Sequence, residues 1–94
     1  MKTTRLVDLS HGRNIKAARV VLSPGEEVGE HVTEKREEVI IVLKGEGVLL
    51  KDGEETRLAE GDVHYIRENT RHNVKSGSGT LEYVYVVNFL RPPA

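Results

Sequence analysis

Cysteine is missing from this chain. Its absence excludes a disulfide framework, a thiolate metal site and a thiol nucleophile together. Long apolar runs are also missing. The longest, Val39 to Leu43, falls far short of a membrane span. The first residues, Met1 to Leu6, have no apolar stretch of the kind a signal peptide needs, so a cytoplasmic location is expected. Charge of one sign accumulates nowhere. Lysine and arginine number 14 against 15 aspartates and glutamates, a net charge of −1, and the basic residues are scattered rather than striped. That argues against a nucleic-acid surface or a polybasic membrane patch. No Gly-x-x-x-x-Gly-Lys-Ser/Thr phosphate loop and no Gly-x-Ser-x-Gly nucleophile elbow occurs. Glutamine is absent, methionine stands only at position 1, and glutamate leads the charged residues. This is the composition of heat-stable proteins, so a thermostable fold is expected.

What is present is β-forming. The 94 residues suffice for one domain, residues 1–94, with little room for a second core. No stretch keeps a helical period. Short β-branched runs alternate with Gly, Asn, Asp and Ser, which predicts an all-β chain. The expected strands are Ala17–Leu22, His31–Thr33, Glu38–Lys44, Gly47–Lys51, Glu54–Leu58, Val63–Arg67, His72–Lys75 and Thr80–Phe89. Asp52-Gly53 signals a tight hairpin, since both residues tolerate positive φ. Ser23-Pro24-Gly25 and Ser76-Gly77-Ser78-Gly79 are further breaks. The Pro92-Pro93-Ala94 end is expected to fray. Short, regularly spaced strands of this kind build a sandwich or barrel.

Two of these strands are apolar on both faces. Glu38, Ile40 and Val42 share one side, while Val39, Ile41 and Leu43 take the other. Leu81, Tyr83, Tyr85, Val87 and Phe89 likewise oppose Val84 and Val86. A small barrel has one interior, so the second apolar face needs a cover. Either the N-terminal residues or a second copy of the chain could supply it, and a homodimer is the expectation.

The chemistry-bearing residues lie around these strands. His31 and Thr33 are two apart, on one side of a strand. If that strand forms a hairpin with the next, across the turn Glu34-Lys35-Arg36-Glu37, His31 and Glu38 can converge. His72 opens another strand after the loop Glu68-Asn69-Thr70-Arg71. Two imidazoles and a carboxylate on neighbouring inward faces would form a facial triad, suited to Fe(II) and also to Mn, Ni, Co or Zn.

The spacing of these residues resembles the two signature motifs of the cupin superfamily. In the first, Gly25 precedes His31 by five intervening residues, Glu38 follows, and Gly45 closes the motif after six more. Thr33 stands where the family usually has a second metal-binding histidine. In the second, residues 61–76, Gly61 leads to Arg67 in the proline place, Asn69 in the glycine place, and His72 as the histidine. Ser76 stands where an asparagine is common. Asn69 is a reasonable glycine substitute, because both tolerate the left-handed region. The resemblance implies a cupin-type β-barrel, or jelly roll, whose pocket holds a divalent transition metal (Fe, Mn, Ni, Co or Zn) through His31, Glu38 and His72.

Thr33 weakens that set, because a hydroxyl is a poor ligand for a borderline metal. His64 could take the vacant place or act as a general base, provided that it shares an inward face with Ile66. Glu37 could stand in for Glu38, but only Glu38 shares the side of Ile40 and Val42. His11 sits in a loop and receives no role. Tyr65, Tyr83 and Tyr85 could stack on or hydrogen-bond a ligand, and Arg36, Arg67 and Arg71 could clamp an anion at the barrel mouth. Similar cupins include dioxygenases, isomerases, decarboxylases and binding modules without activity. The expected function is therefore a small cupin that binds a divalent transition metal in its pocket, its specific activity unresolved, with a small molecule as a candidate ligand. The alternatives are a metal-dependent enzyme of one of those classes and a metal-free ligand-binding or structural domain.

Overall fold

The computed structural model describes residues 1–10 and 14–90. His11 and the terminal Pro92-Pro93-Ala94 lie outside the described residues. Among the described residues nine strands follow one another: β1 (Lys2–Val7), β2 (Ile15–Leu22), β3 (His31–Val32), β4 (Arg36–Lys44), β5 (Glu46–Lys51), β6 (Glu54–Ala59), β7 (Val63–Ile66), β8 (Arg71–Ser76) and β9 (Leu81–Phe89). They form two antiparallel sheets. One has the order β1-β2-β9-β4-β7, the other β3-β8-β5-β6. Among the described residues no helix is long and apolar enough to cross a membrane.

The alternation seen in the sequence decides what faces inward. Ile40 and Val42 of β4, and Leu81, Tyr83 and Val87 of β9, are buried, as are Val20 and Leu22 of β2. Leu49, Leu58 and Val74 of the second sheet join Ile66 in the same core. The layer between the sheets is thus a single apolar core, and the all-β barrel expectation holds. The Asp52-Gly53 signal is also met. Both residues have positive φ, 50° and 81°, and Lys51 pairs with Glu54 across the turn. Gly45 has a more demanding role. Its φ is +82°, and a Cβ there would lie 2.0 Å from the Thr80 carbonyl oxygen. Only glycine lets β4 turn into β5 under the end of β9.

Two expectations need correction. No strand was expected at the N-terminus, yet β1 pairs along β2 at the edge of the larger sheet. Its residues are almost all exposed, so no apolar alternation marks it in the sequence. β1 extends that sheet at its edge, and Val63 and Tyr65 on the outer face remain exposed. The second correction concerns β3. It does not form a hairpin with β4 but pairs with β8, while β4 lies between β9 and β7 in the other sheet. The turn after Val32 carries the chain across the barrel from one sheet to the other.

Candidate metal centre

The β3–β8 pairing sets His31 directly opposite His72. Their rings lie 4.0 Å apart between centroids, tilted by 59°. Glu38 reaches the same place from the facing sheet, near the start of β4, where it is level with Val87 of β9 and Ile66 of β7. One ligand atom from each of His31, Glu38 and His72 falls within 4.8 Å of the others. The residues that could hold a metal therefore do converge, across the barrel rather than along a hairpin.

Local hydrogen bonds orient both imidazoles. His31 Nδ1 lies 2.9 Å from the Gly29 carbonyl, and His72 Nδ1 lies 2.9 Å from the Thr70 carbonyl. A carbonyl oxygen only accepts, so each Nδ1 must carry the proton. In the neutral form of each ring, Nε2 then keeps a free lone pair, the tautomer that binds metals. His72 Nε2 is buried and has no hydrogen-bond partner among the described residues. It points toward Glu38, whose Oε2 is 4.0 Å away.

The electrostatics match a site built for a cation. Burial pushes the Glu38 carboxyl above the usual carboxylate range, although the charges of His31 and Arg36 pull against it. Burial lowers the His72 pKa, only partly countered by the hydrogen bond to Thr70, and His31 and Arg36 lower it further. Neutral His72 cannot pair with Glu38 as an ion. A buried lone pair thus faces a partly buried carboxyl group, and a divalent cation would satisfy both.

A cavity of about 210 Å³ opens onto these three residues. Val20, Val28, Val74 and Val87 give it apolar walls, and Lys16, Arg36, Tyr83 and Tyr85 add polar groups. Arg36 is anchored by its Nε, which donates to the Thr33 carbonyl at 3.0 Å, and by Phe89, whose ring centroid is 5.7 Å from its Cζ. Burial and the nearby Glu38 charge raise the pKa of Tyr83 and Tyr85. Both phenols stay protonated and can donate.

The other candidates sit elsewhere. Glu37 is on the outer face, where it accepts hydrogen bonds from Tyr65 and Asn88. His64 does share the inward side with Ile66, but it is level with Ile40, and its Nε2 lies 3.8 Å from Asp62. It is not part of the three-donor group. Thr33 does not line the cavity. Its hydroxyl donates to the Arg67 carbonyl at 2.8 Å and accepts from the Thr70 N–H at 2.9 Å. Arg67 and Arg71 are exposed beyond the cavity wall, and Arg71 pairs with Glu30. Spacing pointed to Arg36 only as one of three arginines. What separates it is its position on the same face as Glu38.

Comparison with known proteins agrees with this architecture. Residues 18–87 match the family model described as the cupin domain. The chain is a cupin. Its relatives include an oxalate-binding protein of Thermotoga maritima, 32% identical over 81 residues, covering 85% of this chain and 67% of that protein. Among solved structures, a protein from Thermotoga maritima described as a predicted oxalate decarboxylase superposes with a TM-score of 0.88 at 28% identity. The match covers 94% of this cupin and 79% of that chain. A cupin 2 conserved barrel domain protein from Salinispora arenicola gives 0.80 at 25% identity, covering 92% and 73%.

Proposed function

We propose that this cupin holds a divalent transition metal through His31, Glu38 and His72, and uses it to bind a small carboxylate. The observation that carries the metal is the buried, partnerless Nε2 of His72 facing the Glu38 carboxylate. Two imidazoles and one carboxylate suit Fe, Mn, Ni, Co or Zn and leave coordination positions open. When bound, the ion supplies Lewis acidity toward an oxygen ligand.

The chain's own groups select the ligand. A cavity of about 210 Å³ is smaller than the ~300–1,000 Å³ of drug-sized sites, which favours a molecule of a few heavy atoms. Arg36 offers a planar fork that matches a carboxylate, and Lys16 adds a second positive charge at the cavity. The relative named for oxalate binding supports the same class. Tyr83, buried beside Glu38 and held protonated, can donate a hydrogen bond to the ligand or a proton in a reaction. That phenol is the feature that favours the second reading, a metal-dependent enzyme of the dioxygenase, isomerase or decarboxylase kind.

The assembly we propose is a homodimer. On the outer face of the larger sheet, Val63, Ile41 and Val84 form one cross-strand row. Tyr65, Val39, Val86 and Ala17 form the next. Val63 is 64% and Tyr65 53% exposed. A second copy laid on these rows would bury an apolar surface that β1 leaves open.

The test of function has two arms. Untagged protein purified without chelator is analysed for metal beside a His31→Ala/His72→Ala double variant. Near-stoichiometric transition metal, lost in the variant, is expected. Oxalate binding to the loaded protein is then followed by calorimetry. Arg36→Ala should weaken it by about tenfold or more, the scale of one charge-assisted hydrogen bond. Protein that arrives metal-free and also refuses added Fe(II), Mn(II), Ni(II) and Zn(II) would overturn the reading.

A further inference from the structure

We propose that Thr33, at the place of a ligand, is a positioning residue that fixes the tautomer and aim of His72. Thr33 directly follows β3. Thr33 is 3% exposed, and its hydroxyl is engaged as both donor and acceptor. Its N–H donates to the Thr70 carbonyl at 3.2 Å, and Asn69 N–H donates to the next carbonyl, Glu34, at 2.9 Å. With the two hydroxyl bonds, to Arg67 and Thr70, this makes a staple between the turn after β3 and the loop before β8.

Backbone strain marks the same staple. Glu34 and Asn69 both occupy the left-handed region, with φ of 56° and 51°. Asn tolerates that region, but Glu34 is strained there. Such strain persists only where surrounding contacts over-determine the backbone.

The staple ends on His72. The Thr70 carbonyl takes the Thr33 N–H on one lone pair and the His72 Nδ1–H on the other. The Thr33 hydroxyl holds the N–H of the same residue. Locking Thr70 on both sides locks the acceptor that keeps the proton on Nδ1 and so leaves Nε2 bare. His31 uses a different mooring, the Gly29 carbonyl, whose residue is tied to Asn73. His31 is therefore an internal control.

The experiment compares wild type with Thr33→Val and Thr33→Ser, all metal-free, and reads the imidazole nitrogens by NMR above neutral pH. Wild type and Thr33→Ser should show His72 with Nδ1 protonated. Thr33→Val should mix the tautomers at His72 and leave His31 unchanged. Zn(II) affinity by chelator competition should fall about 10–100-fold in Thr33→Val, the range for groups that orient a ligand, and recover in Thr33→Ser. A wild-type His72 protonated on Nε2 would overturn the proposal, even if Thr33→Val fails to fold. A folded Thr33→Val with unchanged tautomer and Zn(II) affinity would do the same. The Zn(II) arm rests on the proposed metal site, whereas the tautomer arm does not. Wild type that binds no Zn(II) but shows the expected tautomers would remove the metal site and leave the staple.

Discussion

Replacing Glu38 by glutamine should stabilise the metal-free protein while crippling the proposed metal site. The Glu38 side chain is 13% exposed and accepts no hydrogen bond from the described residues. His72 Nε2, 4.0 Å from its carboxyl, has a lone pair and no proton to give. Burial already pushes the Glu38 carboxyl toward its neutral form. Glutamine removes the charge and brings an N–H that can donate to His72 Nε2. One hydrogen bond gained and one buried charge removed together amount to about 1–2 kcal/mol. In a domain of this size, that is about 5–15 °C in Tm.

The pH dependence follows from the direction of the shift. A folded-state pKa above the unfolded value means that the fold favours protonated Glu38. That contribution is fully present below the ordinary carboxylate pKa and is lost as pH rises through the raised folded value. Glutamine has no such loss. The stability gap should therefore open with rising pH and close in acid. Thermal denaturation of both proteins across that range, with chelator present, checks it. Free Zn(II) at about 100 times its Kd adds about 2.7 kcal/mol to wild type, and the variant should gain less, so the order of stability reverses. A Glu38→Gln protein that is no more stable than wild type without metal, at any pH, would refute the reasoning.

Two further outcomes test the fold and the assembly. Gly45→Ala should cost about 2–4 kcal/mol, combining left-handed strain with overlap on the Thr80 carbonyl. Gly61→Ala, where φ is +87° but space is open, should cost only about 1 kcal/mol, and denaturant melts would separate the two. If the proposed homodimer forms through this face, wild type should sediment as a dimer and Ile41→Glu, at the centre of the outer apolar rows, as a folded monomer in analytical ultracentrifugation. Identical sedimentation of both proteins would argue against that face as the interface.

The strands were legible wherever side chains alternate against a core. Ile40 and Val42, or Leu81 and Tyr83, announce both their strand and their inward face. β1 was not legible, because Lys2 to Leu6 are exposed and carry no apolar period. The three candidate ligands were readable from motif spacing, but the manner of their meeting was not. His31 and Glu38 sit seven positions apart and suggest a hairpin. They meet instead because β3 has paired with β8 and β4 with β9. Sequence separation alone cannot distinguish these routes. His64 shows the converse. Alternation predicted its inward face correctly, but distance along the strand sets it beside Asp62 rather than Glu38.

Thr33 is where spacing and structure part most sharply. By spacing alone it is a lost ligand, and a site with fewer donors should hold its metal less tightly. Its partners, Arg67 and Thr70, lie 34 and 37 residues further along the chain, beyond the reach of any local pattern. Within the proposed reading, the two effects act in opposite directions on one site. A missing donor lowers affinity, while a pre-oriented His72 recovers part of it by reducing the freedom lost on binding. The exchange also changes what the site can accept. A fourth protein ligand would occupy one more position on the ion, and its absence would leave that position to water or to a ligand oxygen beside Arg36. The same threonine that weakens the bare site for metal would in this way favour the ternary complex over it.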